Sequence, residues 1–145
     1  MASKIRLTSN EIKHIALFES VTGAMAKDCI IDDKLGRIIF IVNCGDLGLA
    51  IGKGGSHIRT LKRMVGRDVE LVEYSDEPSN FIRNSLAPAK IKEVRMSELP
   101  DGRKIVKVTV EPKDKGVAIG KNGKTAERTR FLAKRYFCID KVIIT

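Results

Sequence analysis

Aromatic residues are scarce in this chain of 145 residues, with no tryptophan, two tyrosines and five phenylalanines. A binding surface built mainly from stacked rings is therefore not expected. Cysteine is scarce too: Cys29, Cys44 and Cys138 are scattered and odd in number, and none forms a Cys-x-x-Cys pair. They read as small buried hydrophobes of a reducing compartment, not as a disulfide framework. With His14 and His57 the only histidines, no zinc site is expected. No nucleophile stands with a base by motif and no carboxylate cluster appears, so neither an enzyme nor a cofactor site nor a small-molecule substrate is predicted. Residues 1–8 hold no long apolar core, which predicts no secretory signal, and no run approaches a membrane span. A cytoplasmic protein without membrane contact is expected.

What the chain does have is positive charge and a repeat. Its formal net charge is +9, from 27 lysines and arginines against 18 acidic residues, and such an excess favours a polyanionic partner. The stretch Gly48-Leu49-Ala50-Ile51-Gly52-Lys53-Gly54-Gly55 returns sixty-eight residues later as Gly116-Val117-Ala118-Ile119-Gly120-Lys121-Asn122-Gly123. Six of the eight positions are identical. A period of half the chain indicates a duplicated domain and not a solenoid of short units. The expected division is 1–75 and 76–145, with the boundary at Ser75-Asp76-Glu77-Pro78. Each half, about 70 residues, buries only a modest core.

Each repeat ends in Gly-x-x-Gly with lysine at the first x. Glycine permits positive φ and close approach of another backbone. Asn122 replaces Gly54, and asparagine is among the few other residues that tolerate the left-handed region. An apolar Leu/Val-Ala-Ile precedes each loop and a helical pattern follows it. The loop thus reads as a tight link between two helices, and the second helix presents unpaired N–H groups that suit a phosphate. Lys53 and Lys121 add full charge there, with Lys124 beside the second loop. The rival phosphate motifs fail on spacing. A Walker A loop ending at Gly123-Lys124-Thr125 would need glycine where Ala118 stands, and a dinucleotide fingerprint from Gly52 would need glycine at His57. Plain turns joining helices are the remaining alternative, which a doubled loop with matching lysines argues against.

The elements around the loops follow from periodicity. Thr8 and Glu11 fit a capping box, followed by Ile12, Ile15, Ala16, Phe18 and Val21 at helical spacing, and Gly23 stops the run. Residues 27–31 and Arg37–Asn43 read as a hairpin, the second strand apolar enough to be buried on both faces. Asp46 is expected to cap a short helix through Ile51, and Asp114 its counterpart. After the first loop, Ile58, Leu61, Met64 and Val65 form an apolar stripe, and Gly66 ends the helix. Arg59 and Lys62 lie off that stripe, either as a solvated face or as an extension of the positive surface. An alternating strand over 69–74 closes the half. The second half repeats the order: a helix from Ser79 to Leu86, strands 91–96 and 103–110, a helix to about Tyr136, and a last strand over 137–144.

Tandem Gly-x-x-Gly loops in this order resemble KH domains, whose loop clamps the backbone of about four nucleotides. The resemblance implies an α+β fold: two tandem prokaryotic-type (type II) KH domains, each α-β-β-α-GxxG-α-β with a three-stranded sheet. With Ala-Ile-Gly-Lys lead-ins and little chain outside the two halves, the whole is similar to the archaeal NusA-type transcription factors. That family implies single-stranded RNA as ligand and a role in transcription elongation, termination or antitermination, with RNA polymerase as a further partner. The N-terminal polymerase-binding domain and the OB-fold of the bacterial pattern have no counterpart here. The resemblance places Gly52, Lys53, Gly54 and Gly55 against one phosphate tract, and Gly120, Lys121, Asn122 and Gly123 against the next. It also places Ile51 and Ile119 either in an apolar floor under the bases or in plain helix core. The alternative is a protein-interaction or ribosome-associated KH scaffold whose RNA binding is unrelated to transcription. Such scaffolds usually lose the loop glycines or the basic residue, and here both loops keep both.

Overall fold

The computed structural model describes residues 6–145. The first five residues of the first expected domain lie outside the described residues. The chain forms two compact units, Arg6–Ser75 and Asp76–Thr145.

The first unit opens with α1 (Ser9–Thr22). Thr8 accepts from the Glu11 amide while the Glu11 carboxylate accepts from the Thr8 amide, so the capping box forms. Gly23 closes the helix at φ 73°. Strands β1 (Ala26–Asp32) and β2 (Arg37–Val42) make the antiparallel hairpin. Then come α2 (Leu47–Ile51), the loop, α3 (Ser56–Val65) and β3 (Asp68–Glu73). β3 pairs parallel to β2, giving the order β1-β2-β3. A parallel partner requires a crossover connection, and α2, the loop and α3 are that crossover.

β2 is central, and all six of its residues are buried. Ile38, Phe40 and Val42 join Phe18, Ala50 and Leu61 in one core, where Phe18 and Phe40 stack with ring centroids 4.7 Å apart. Truncating Phe40 to alanine would cost about 3–5 kcal/mol. At the β2 start the buried Arg37 guanidinium bonds Asp32 at 2.9 Å and Glu70 at 3.1 Å, tying all three strands. Burial pushes the Asp32 carboxyl up. The Arg37 bond, the Leu35 amide and the Arg37 charge outweigh it and hold the group below its ordinary value.

The second unit repeats the plan with α4 (Pro78–Leu86), β4 (Ile91–Glu98), β5 (Lys104–Val110), α5 (Lys115–Ile119), α6 (Lys124–Phe137) and β6 (Lys141–Ile144). Its sheet order is β4-β5-β6, with β6 parallel to β5. Val106, Val108, Ala118, Ala133 and Ile139 centre its core. A buried hydroxyl pair, Ser85 to Thr129 at 3.0 Å, joins α4 to α6.

Several expectations are corrected. The last strand starts at Lys141 and not at 137: α6 runs through Phe137, and Cys138 ends it in the left-handed region at φ 55°. Cys44 is exposed and Cys138 half-buried, so only Cys29 is the small core hydrophobe expected of all three. Ile12 and Met64 are exposed although they fall on apolar stripes, because each helix buries a band narrower than its pattern. Asp46 and Asp114 hold the N-cap positions of their short helices as expected, but neither side chain bonds the first turn. Their carboxylates accept instead from the amides of Met25 and Lys90, at 3.0 and 2.9 Å.

Candidate nucleic-acid interface

The apolar lead-in explains itself in three residues. In Leu49-Ala50-Ile51 and Val117-Ala118-Ile119 only the alanines are fully buried. A methyl group lets each short helix pack closely, and the larger neighbours turn outward. Leu49 is 51% exposed, Val117 47% and Ile119 37%, while Ile51 is half-buried. Leu49 and Val117 were not singled out from the sequence. Their signal was the central alanine, which points the flanking side chains away from the core.

Both loops trace one backbone path. Gly52 and Gly120 have φ of 76° and 80°, each with ψ 166°. Gly54 (61°, 23°) matches Asn122 (57°, 26°), and Gly55 (78°, 17°) matches Gly123 (74°, 14°). The Gly55 amide donates to the Gly52 carbonyl at 3.0 Å, and the Gly123 amide to the Gly120 carbonyl at 3.0 Å. The first glycine is needed twice over. A Cβ on Gly52 would lie 2.7 Å from His57, and one on Gly120 would lie 2.5 Å from the Thr125 hydroxyl. At Gly54 a Cβ would meet nothing within 4 Å. Only the left-handed conformation constrains that position, which is why asparagine can replace glycine there in the second loop.

No side chain caps α3 or α6, whose N-caps are Gly55 and Gly123. Their first-turn N–H groups and the positive end of each helix therefore face the loop. Lys53 and Lys121 are exposed there, and among the described residues neither forms an ion pair. Each loop thus gathers one free cation, uncapped amides and a bare backbone, flanked by outward apolar side chains.

The remaining predicted residues divide. Arg59 curls back and donates through Nη1 to the Gly54 carbonyl, bracing the first loop. Glu127, whose carboxylate cannot donate to a carbonyl, occupies the matching place in α6. Lys62 is exposed but sits in the last turn of α3, about 9 Å along the axis from the loop, so it is not gathered with Lys53. Lys124 opens α6, half-buried and already engaged by other groups of the protein. His57 is held by its Nδ1–H, which donates to the Leu49 carbonyl at 2.8 Å. Among the described residues no helix is long and apolar enough to cross a membrane.

Comparison with known proteins agrees with this geometry. Residues 11–99 match the KH domain family, and residues 78–131 match the NusA-like second KH domain. The "Probable transcription termination protein NusA" of Halococcus morrhuae is 40% identical over 139 residues, covering 96% of this chain and 97% of the relative. The protein of the same name from Methanocaldococcus jannaschii is 37% identical, covering 97% and 75%. The "Transcription termination/antitermination protein NusA" of Mycobacterium bovis is 27% identical, and the match spans only 35% of its length. The crystal structure of APE1850 superposes with a TM-score of 0.85 at 37% identity, covering 96% of this chain and 100% of that one. Two matched loops, the tandem order and relatives that align nearly end to end lead to one assignment: the chain belongs to the archaeal NusA-type family of tandem KH-domain proteins.

Proposed function

We propose that this protein binds single-stranded RNA through both Gly-x-x-Gly loops and acts by that binding in transcription elongation, termination or antitermination. One observation carries the reading: the same positive-φ path, topped by an exposed lysine and leading into an uncapped helix, is built twice. An uncapped helix start with adjoining lysine favours a phosphate over other ligands. At about four nucleotides per loop, the pair covers roughly eight or more. Gly52 to Gly55 and Gly120 to Gly123 face the phosphates. Ile51 and Ile119, with Leu49 and Val117 beside them, supply apolar contact to the bases. The modules 1–75 and 76–145 divide the strand between them. RNA polymerase is the partner through which a role in termination would act. The site is read as one for binding: it gathers cations, amides and apolar side chains.

The test is to replace Lys53-Gly54 and Lys121-Asn122 by Asp-Asp, singly and together. Carboxylates then sit where phosphates belong. Each change should weaken binding of a single-stranded oligoribonucleotide by about tenfold or more, and log affinity should fall with log salt at about −0.7 per neutralised phosphate. Undiminished affinity in a variant with unchanged circular dichroism would refute the loop assignment.

A further inference from the structure

β4 is an edge strand of the second sheet, paired with β5 on one side only. Among the strands of the described residues it alone contains no buried residue. Ile91 and Val94 are half-buried and the rest of the strand is exposed. Leu99, just past its end, donates to the Arg103 carbonyl of the facing strand at 2.8 Å. Successive residues turn their N–H and C=O groups alternately toward and away from the neighbour. Glu93, Arg95 and Ser97 therefore turn toward β5, while Val94 and Met96 direct their backbone groups to the open edge. Such an edge is a template for another strand.

The charges along β4 say which strand fits. Val94 and Met96 stand opposite Val108 and Val106, whose side chains lie in the core, so Glu93 and Arg95 share the other face. Arg95 donates to Glu93 Oε1 through Nε and Nη2, at 3.2 and 2.9 Å. Among the described residues the Arg95 Nη1 and the Glu93 Oε2 are left without a partner. Consider a second copy laid antiparallel along the edge, with a twofold axis through Val94. Each Glu93 then faces the other copy's Arg95, four alternating charges close a square, and Val94 meets Val94 on the opposite face. In a twofold interface every such contact is made twice. Opposite charges directly across a sheet are favourable and like charges are not. Moving the axis one residue either way would set Arg95 against Arg95 or Glu93 against Glu93. We propose that β4 pairs with β4 of a second copy in this one register, joining two three-stranded sheets edge to edge. The contact is one strand wide, so the dimer is weak and transient. It is independent of the RNA-binding reading, and it would offer a long polymer four loops instead of two.

The test is sedimentation equilibrium of the intact chain without RNA. Dimer should form with a Kd on the order of 100 µM, so loading from about 5 to 500 µM brackets the transition. Added salt should dissociate it by screening the exposed charges. Glu93→Arg sets arginine against Arg95 twice and should weaken dimerisation about tenfold or more. Adding Arg95→Glu to that variant restores opposite charges across the edge, and the affinity should return to within about threefold of the intact chain. Neither side chain is buried, so both variants should keep the circular dichroism of the intact chain. A monomer at every concentration, as expected if the edge stays bare or receives a strand of another protein, would overturn the proposal. So would a dimer that survives Glu93→Arg, or a charge swap that fails to recover it.

Discussion

The two loops share a backbone but not a neighbourhood. Around the first, Arg59 braces the Gly54 carbonyl and His57 grips the Leu49 carbonyl. Around the second, those places hold Glu127 and Thr125, while Asn122 stands where the first has Gly54. Three pairs of dihedral angles nevertheless agree within 4°. The path is therefore set by the glycines and the helices they join, and the surrounding side chains adjust charge and stiffness.

The largest effect should come from the first glycine of each loop, and it should differ between them. A Cβ on Gly120 would lie 2.8 Å from the Thr125 backbone nitrogen, which cannot rotate away. On Gly52 the close atoms belong to the His57 and Ser56 side chains, which can. Gly120→Ala should cost about 3 kcal/mol and Gly52→Ala about 2, by denaturant unfolding. Asn122→Gly should stay within about 0.5 kcal/mol. Equal costs for the two alanines would show that the clash is relieved by backbone motion in both loops.

The next effect separates stiffness from charge. Arg59→Ala removes the brace and should weaken RNA binding about threefold, with unfolding changed by about 1 kcal/mol at most. Glu127→Gln removes a carboxylate from the first turn of α6, where it competes with a phosphate for the positive end. Binding at low salt should strengthen about twofold. Titrations at two salt concentrations check both, since the Glu127 effect should shrink on screening.

The smallest effect lies in acid. Asp140 in the second unit is held below its ordinary value, first by the Lys134 bond and then by the Lys104 amide. Lys134 is raised in return by Asp140. A depressed carboxyl contributes stability that is complete above its unfolded value of 3.8 and is lost as pH falls through the folded one. Asp140→Asn should lower the melting temperature slightly at neutral pH, and the gap should close as the pH falls through the folded carboxyl's lowered value. A gap that persists in strong acid would mean the asparagine acts through packing.

Much of this was legible in the residues. Thr8 with Glu11, Gly23, Gly66 and the β-branched run at β2 act locally, and local chemistry decided their elements. The loops were legible because positive φ admits few residue types, so Asn122 against Gly54 already spelled the shared conformation. What escaped depends on partners far along the chain. Asp46 and Asp114 sit where caps belong, but the amides they serve are 21 and 24 residues away. The end of α6 was misjudged because Cys138 occupies a left-handed turn that glycine usually marks.

The two aspartates bear on how each unit carries load. Each anchors the run-up to a Gly-x-x-Gly bend onto the root of its own sheet's first strand. A five-residue helix alone would peel away under a tug on whatever the bend holds. Riveted in this way, it hands the force to a hydrogen-bonded sheet that resists shear, so a taut thread should slip from the bend before the scaffold gives.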